Sequence, residues 1–192
     1  MKTLLLLLSI TVCALLPSST WARPSLPSSY DAAIDQAVKR WWPDLPDARW
    51  WKAQLYQESR LDPAAVSPVG ARGLAQFMPA TWEETVRRLG YPRGVSPHQA
   101  RFAIEAGAYY MAGLRRQWYL NRPLLDKHDL AMASYNAGLG NILNAQRACD
   151  NARHWPQIAP CLSRITGRHA NETLTYVTRI AGWHARLAAA DR

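Results

Sequence analysis

The chain has 192 residues, a formal charge of +9 at pH 7, 48% hydrophobic residues and 19% charged ones. This length and apolar content suit one globular domain with a sizeable core, and the absence of repeats or charge blocks excludes solenoid and disordered-tail architectures. The five histidines include no pair at HExxH-type ligand spacing, so no metal site is expected, and the basic balance favours an anionic partner.

The first residues decide which anion. Lys2, the apolar run from Leu4 to Leu16 and Thr20-Trp21-Ala22 read as a secretory signal spanning residues 1–22. The run stops at Pro17-Ser18-Ser19, short of the roughly 20 residues a membrane span needs, so no stable span is expected after signal removal. Cys13 follows the bulky Val12 and is itself followed by apolar residues, which argues against lipid attachment. Removing 22 residues leaves 170, and losing Lys2 takes the charge from +9 to +8. Export places this basic chain in the periplasm or outside the cell, where its partner is an anionic polymer and not nucleic acid. In that oxidising setting the two remaining cysteines, Cys149 and Cys161, are expected to pair, with free buried thiols as the alternative.

Residues 23–29 are rich in Pro and Ser and read as a flexible linker, leaving 30–192 as the folded domain. Ala33, Ile34, Ala37, Val38 and Trp41 recur at helical spacing, predicting a helix from Asp31 to about Trp42 that Pro43 and Pro46 terminate. Asp47 is placed to cap a second helix whose stripe runs Ala48, Trp51, Leu55 and then Glu58. Ser67 to Gly73 is a turn-rich loop with no Walker pattern, and periodicity from Gly70 to Phe77 is uninformative enough to hide short strands. A third helix starts at Pro79 or Thr81 and stops near Gly90. Ser96-Pro97-His98-Gln99 signals a fourth, striped by Ala103, Ala106, Tyr110, Leu114 and Trp118 and extending to about Leu120. Asp126 or Asp129 opens a fifth, which Gly138 and Gly140 break; a short one follows over about Asn141 to Ala148. The segment between the cysteines is poor in helix signals. Asn171 caps a last helix carrying Tyr176, Val177, Ile180, Trp183 and Leu187 on one face. The adjacent pairs Trp41-Trp42 and Trp50-Trp51 cannot both face inward on one helix side, so one of each is expected at a surface or groove edge. The fold class is mainly α.

Glu58 carries the chemical signal. A carboxylate continuing an apolar stripe is desolvated, and desolvation raises its pKa toward what a general acid needs. A solvent-facing glutamate in a last helical turn is the ordinary alternative, and spacing alone leaves both open. Asp62 precedes Pro63 after the helix end, a position suited to a turn. Taken alone, Ser67 and Gln76 suit turn and surface roles, and Met78 and Tyr135 suit the core.

Three separated blocks resemble the catalytic domain of soluble lytic transglycosylases in the lysozyme-like superfamily. They are Glu58-Ser59-Arg60 with Asp62-Pro63, Ala65, Ser67-Pro68, Gly70-Ala71, Gly73-Leu74 through Gln76, Met78-Pro79 and Thr81; Ala133-Ser134-Tyr135-Asn136-Ala137-Gly138; and Glu172-Thr173 with Tyr176-Val177. The resemblance implies a lysozyme-like single domain with a very small β element near the active-site loop. It implies cleavage of the bond between N-acetylmuramic acid and N-acetylglucosamine in peptidoglycan glycan strands without water, leaving 1,6-anhydromuramyl ends and using no cofactor. By position, Glu58 is the catalytic acid and then base. Ser67, Gln76, Met78, Tyr135, Asn136 and Glu172 are the substrate-binding residues: Ser67 at the muramyl N-acetyl region, Gln76 and Met78 along the cleft, and Tyr135 beside Glu58, where its phenol is placed to orient the acid. A helix-start charge is the plainer reading of Glu172. Ala75 stands where many relatives carry Met, a change expected to reshape a subsite. A hydrolysing muramidase and a non-catalytic peptidoglycan-binding assembly protein are the competing readings, and small exported enzymes of this kind suit a secretion, pilus or conjugation machine.

Overall fold

The computed structural model describes residues 26–191. The expected signal segment and the first three residues of the expected linker lie outside the described residues. Leu26, within the expected linker, already packs on the core.

Helix α1 (Asp31–Trp41) is followed by α2 (Ala48–Ser59), whose N-cap Asp47 accepts a hydrogen bond from the Arg49 backbone N–H at 3.1 Å. Arg60, in the left-handed region at φ 59°, closes α2 and turns the chain into the loop that leads to α3 (Pro79–Leu89). Within that loop Arg72 pairs antiparallel with both Val66 and Phe77, which supplies the small β element. Then come α4 (Ala100–Gln117), α5 (Leu124–Ala137) and α6 (Leu139–Ala148). Short α7 (Trp155–Ile158) and α8 (Leu162–Thr166) are linked by 3-10 turns to the 21-residue α9 (Ala170–Ala190).

Several helix starts differ from the sequence reading, each for a local reason. The Ser96 to Gln99 pattern does form its hydrogen bonds, with Gln99 Oε1 accepting from the Ser96 N–H at 3.1 Å. These bonds build a turn, and α4 begins only at Ala100. Asp126 does not cap α5. It accepts from the Trp155 N–H at 2.6 Å, so the helix starts two residues earlier and its first turn is tied to the start of α7. Asn171 does not cap α9, which starts at Ala170 after the 3-10 turn. The intercysteine segment is more ordered than its composition suggests: α7 begins there with a capping box between His154 and Gln157. The Cys149–Cys161 disulfide forms, with Cα atoms 5.8 Å apart, and joins the end of α6 to the turn before α8.

Helix α2 packs against α9 on one side and α1 on another, and its Trp51 side chain reaches α4. This is why Trp50 and Trp51 are both buried, against the expectation that one would reach the surface. Trp50 stacks on His184 of α9 at 3.9 Å, while Trp51 donates its ring N–H to the Ile104 carbonyl at 3.1 Å. Trp51 fits because α4 has Gly107 opposite: a Cβ there would lie 2.5 Å from its ring. Of the other pair, Trp42 is buried and Trp41 is half-buried against Tyr109. His128 sits fully buried beside Trp42 and Trp50, where burial lowers its pKa to about 3 and keeps it neutral.

Candidate active site

The apolar stripe of α2 carries Glu58 to the last turn of the helix, where it meets α9. Residues Glu172, Tyr176 and Arg179 share one face of α9, spaced by four and three, and line a cleft of about 440 Å³ with Gln57, Glu58 and Asn136. Glu58 is half-buried and lines this cleft, and the protein packed around its carboxyl desolvates it. Burial therefore raises its pKa from 4.5 to about 8. A hydrogen bond donated by the Tyr176 hydroxyl to Glu58 Oε1 opposes that rise, and the charge of Glu172 adds to it. Glu58 thus retains its proton near neutral pH, beside an open cleft, with one oxygen held by a phenol.

The structure sorts the remaining residues singled out in the sequence. Asn136, at the end of α5, accepts a hydrogen bond from the Thr173 hydroxyl at 2.7 Å and lines both the main cleft and an adjoining cavity of about 350 Å³. Glu172 is exposed and borders both cavities. Tyr135 lies close enough for the Glu58 charge, after burial, to raise its pKa, but its hydroxyl donates to the Ala75 carbonyl at 2.6 Å. The phenol that bonds the acid is Tyr176. Tyr135 instead fixes the active-site loop against α5.

Ser67, Gln76 and Met78 are outside the lining of these two cavities. Ser67 Oγ accepts from the Ala71 N–H at 3.0 Å and closes a turn. Gln76 adopts φ 45°, and its side-chain N–H donates to the Gly73 carbonyl at 3.0 Å, so its amide holds the loop together. Met78 is 44% exposed before α3, not in the core. Asp62 Oδ1 accepts from the Ala64 N–H at 2.8 Å, the turn role its position suggested. Ala75 is fully buried, with its Cβ facing Gly107 and its carbonyl facing Tyr135; its small side chain serves the packing of α4 and not a subsite. Among the described residues, no group of three or more His, Cys, Asp or Glu side chains could hold a metal ion.

Comparison with known proteins agrees with this geometry. A family model described as the transglycosylase SLT domain matches residues 48–158, more than half of the chain. The chain belongs to the SLT domain family. Among curated relatives of this SLT domain is the membrane-bound lytic murein transglycosylase F of Maricaulis maris, 30% identical over 177 residues covering 84% of this chain and 36% of the relative. Another is the membrane-bound lytic murein transglycosylase F 2 of Alkalilimnicola ehrlichii, 34% identical over 69% of this chain and 29% of the relative. An inactive mutant of the lytic transglycosylase Slt from Pseudomonas aeruginosa has a similar structure, with a TM-score of 0.66 and 27% identity, covering 85% of this chain and 24% of that one. The 70 kDa soluble lytic transglycosylase of Escherichia coli aligns with a TM-score of 0.60 at 26% identity, over 83% and 24% of the two chains. The SLT domain is thus mainly helical with a lysozyme-like fold, and it spans about a third of the length of these two curated relatives.

The sequence places Tyr176 on the apolar face of the last helix and in a matching block but gives it no site role, and it singles out neither Gln54 nor Arg179. Tyr176 lies one helical turn beyond Glu172, and Gln54 one turn before Glu58; that i, i+4 spacing was the available signal.

Proposed function

We propose that this SLT domain is a peptidoglycan lytic transglycosylase. The observation that carries the reading is Glu58: a carboxyl kept protonated by burial, bonded by Tyr176, and placed on an open cleft. In the proposed reaction Glu58 protonates the glycosidic oxygen between N-acetylmuramic acid and N-acetylglucosamine, and that C–O bond breaks. The substrate's acetamido group supports the cationic anomeric carbon. The carboxylate then takes the proton of the muramyl C6 hydroxyl as its oxygen bonds to C1, closing the 1,6-anhydro ring. Glu58 ends protonated again, and no water is consumed. A pKa near neutrality suits a group that must give a proton in one step and recover it in the next.

Family membership supports this reading, as do the relatives named lytic murein transglycosylase and a similar 70 kDa soluble lytic transglycosylase solved as a complex with bulgecin A. Ser67, Gln76 and Met78 would act from the loop beside the acid, with Asn136 and Glu172 bordering the sugar cleft. The Cys149–Cys161 bridge and the apolar first residues favour the periplasm or cell exterior. Among the described residues no helix is long and apolar enough to cross a membrane. A small exported wall-cutting domain suits local opening of the wall for a secretion, pilus or conjugation machine.

One observation favours a second reading. Glu172 borders the same cleft as Glu58, and two cleft carboxylates are what a hydrolysing muramidase uses. Glu58→Gln tests the acid common to both: release of soluble muropeptides from purified sacculi should fall by at least about a hundredfold. Release at the wild-type rate would remove Glu58 from the chemistry and require a different acid.

A further inference from the structure

Gln54 lies on α2 one turn before Glu58 and is completely buried, between the fully buried Ala53 and Leu55. Its side-chain N–H donates to the Tyr176 hydroxyl oxygen at 3.0 Å. Its Oε1 is buried with no hydrogen-bond partner. A buried amide left half-unsatisfied costs stability relative to a leucine of similar size, so packing does not explain Gln54. What it touches does: the phenol that bonds the acid.

A phenol has one proton to give. With the Gln54 N–H occupying the lone-pair side of the Tyr176 oxygen, that proton is directed at Glu58 Oε1, where the structure places the Tyr176 bond. Oε1 therefore accepts and cannot also carry the acid's proton toward Tyr176. The proton of neutral Glu58 is left on Oε2, which has no protein hydrogen bond among the described residues and belongs to a side chain lining the cleft. We infer that Gln54 is a positioning residue, which fixes the direction of the Tyr176 hydroxyl so that Glu58 presents its proton to the glycosidic oxygen from Oε2. This rests on the proposed role of Glu58 as general acid.

The groups facing Glu58 are Tyr176 and Glu172 from α9 and Tyr135 from α5; none is altered by changing Gln54. Removing the Gln54 donor weakens the Tyr176 bond to the Glu58 carboxylate, so the alkaline limb of the rate profile moves to higher pH while turnover falls. The test is a double-mutant cycle on the purified chain, with Gln54→Leu, Tyr176→Phe and the double variant. The substrate is a soluble alternating N-acetylglucosamine–N-acetylmuramic acid oligosaccharide. Gln54→Leu should keep or raise the melting temperature, leave KM within about twofold and lower kcat about tenfold, with the limb displaced upward. In the Tyr176→Phe background the same change should alter kcat less than about twofold, because the residue acts only through the phenol. Gln54→Met, which keeps the length and lacks the donor, should reproduce the pattern. Wild-type kcat and an unmoved limb in Gln54→Leu overturn the inference, as does an equal loss of kcat in both backgrounds, which would mark a packing role. These failures are separable from failure of the acid assignment, which would show instead as activity retained in Glu58→Gln.

Discussion

Replacing Glu58 by Gln should stabilise this domain in alkaline solution while abolishing its activity. The raised carboxyl pKa means that folding prefers the protonated form. Below pH 4.5 the carboxyl is protonated in both folded and unfolded chains and makes no pH-dependent contribution. Between pH 4.5 and about 8 the unfolded chain has lost the proton that the folded chain keeps, so stability falls as pH rises; above about 8 the full penalty is present. A displacement from 4.5 to about 8, at about 1.4 kcal/mol per pH unit, sets a ceiling of about 5 kcal/mol. Solvent in the open cleft screens part of this, so about 2–4 kcal/mol is expected. The amide that the Glu58→Gln substitution introduces carries no charge at any pH, and its oxygen can still accept from Tyr176. Urea denaturation of both proteins from about pH 4.5 to about pH 9 gives the difference directly. Asp129, whose pKa burial raises to about 6, and the buried His128 titrate in both proteins and cancel. The variant should match the wild type within about 0.5 kcal/mol at about pH 4.5 and exceed it progressively toward about pH 9. A difference that stays flat across this range would show that the fold does not control the protonation of Glu58, and the general-acid role would lose its physical basis.

Other expected outcomes probe the scaffold around the acid. Cys149→Ser with Cys161→Ser removes a crosslink across a sequence separation of 12 and should lower stability by about 3 kcal/mol, read as a fall in urea midpoint; reducing agent should reproduce the loss in the wild type and leave the double variant unchanged. Gly73 combines φ +73° with a site where a Cβ would lie 1.9 Å from the Pro97 carbonyl oxygen, so Gly73→Ala should displace the active-site loop. We expect a cost of about 2–4 kcal/mol in urea denaturation together with reduced muropeptide release.

Much of this fold was legible because apolar periodicity and punctuation agreed along the chain. The stripe Ala48, Trp51, Leu55, Glu58 placed α2, and Asp47 capped it as its position implied, while spacing alone left the direction of the Glu58 carboxylate open. The helix starts were less legible where a polar side chain had a tertiary partner. Asp126 and Asn171 both looked like caps, but Asp126 is used by the Trp155 N–H and Asn171 borders the cleft. The environment of the acid was only partly readable. Tyr135 and Tyr176 are both tyrosines in matching blocks near Glu58, and sequence cannot say which hydroxyl reaches it when the choice depends on how α5 and α9 cross α2. Gln54 was invisible for a related reason: a buried polar residue gains meaning only when its partner on α9 is known. The two tryptophans of α2 could both be buried because helices pack on more than one of its sides, information that resides in tertiary arrangement and not in periodicity.

The most direct test of the central claim is the identity of the product. Purified sacculi are digested with the wild-type chain, and the released muropeptides are weighed by mass spectrometry without prior reduction. Transglycosylation predicts fragments ending in 1,6-anhydro-N-acetylmuramic acid, each lighter by one water than the hydrolysis product and inert to borohydride. Fragments ending in reducing N-acetylmuramic acid, lost from the digest when Glu172 is replaced by Gln, would contradict it and assign the cleft to a two-carboxylate hydrolase.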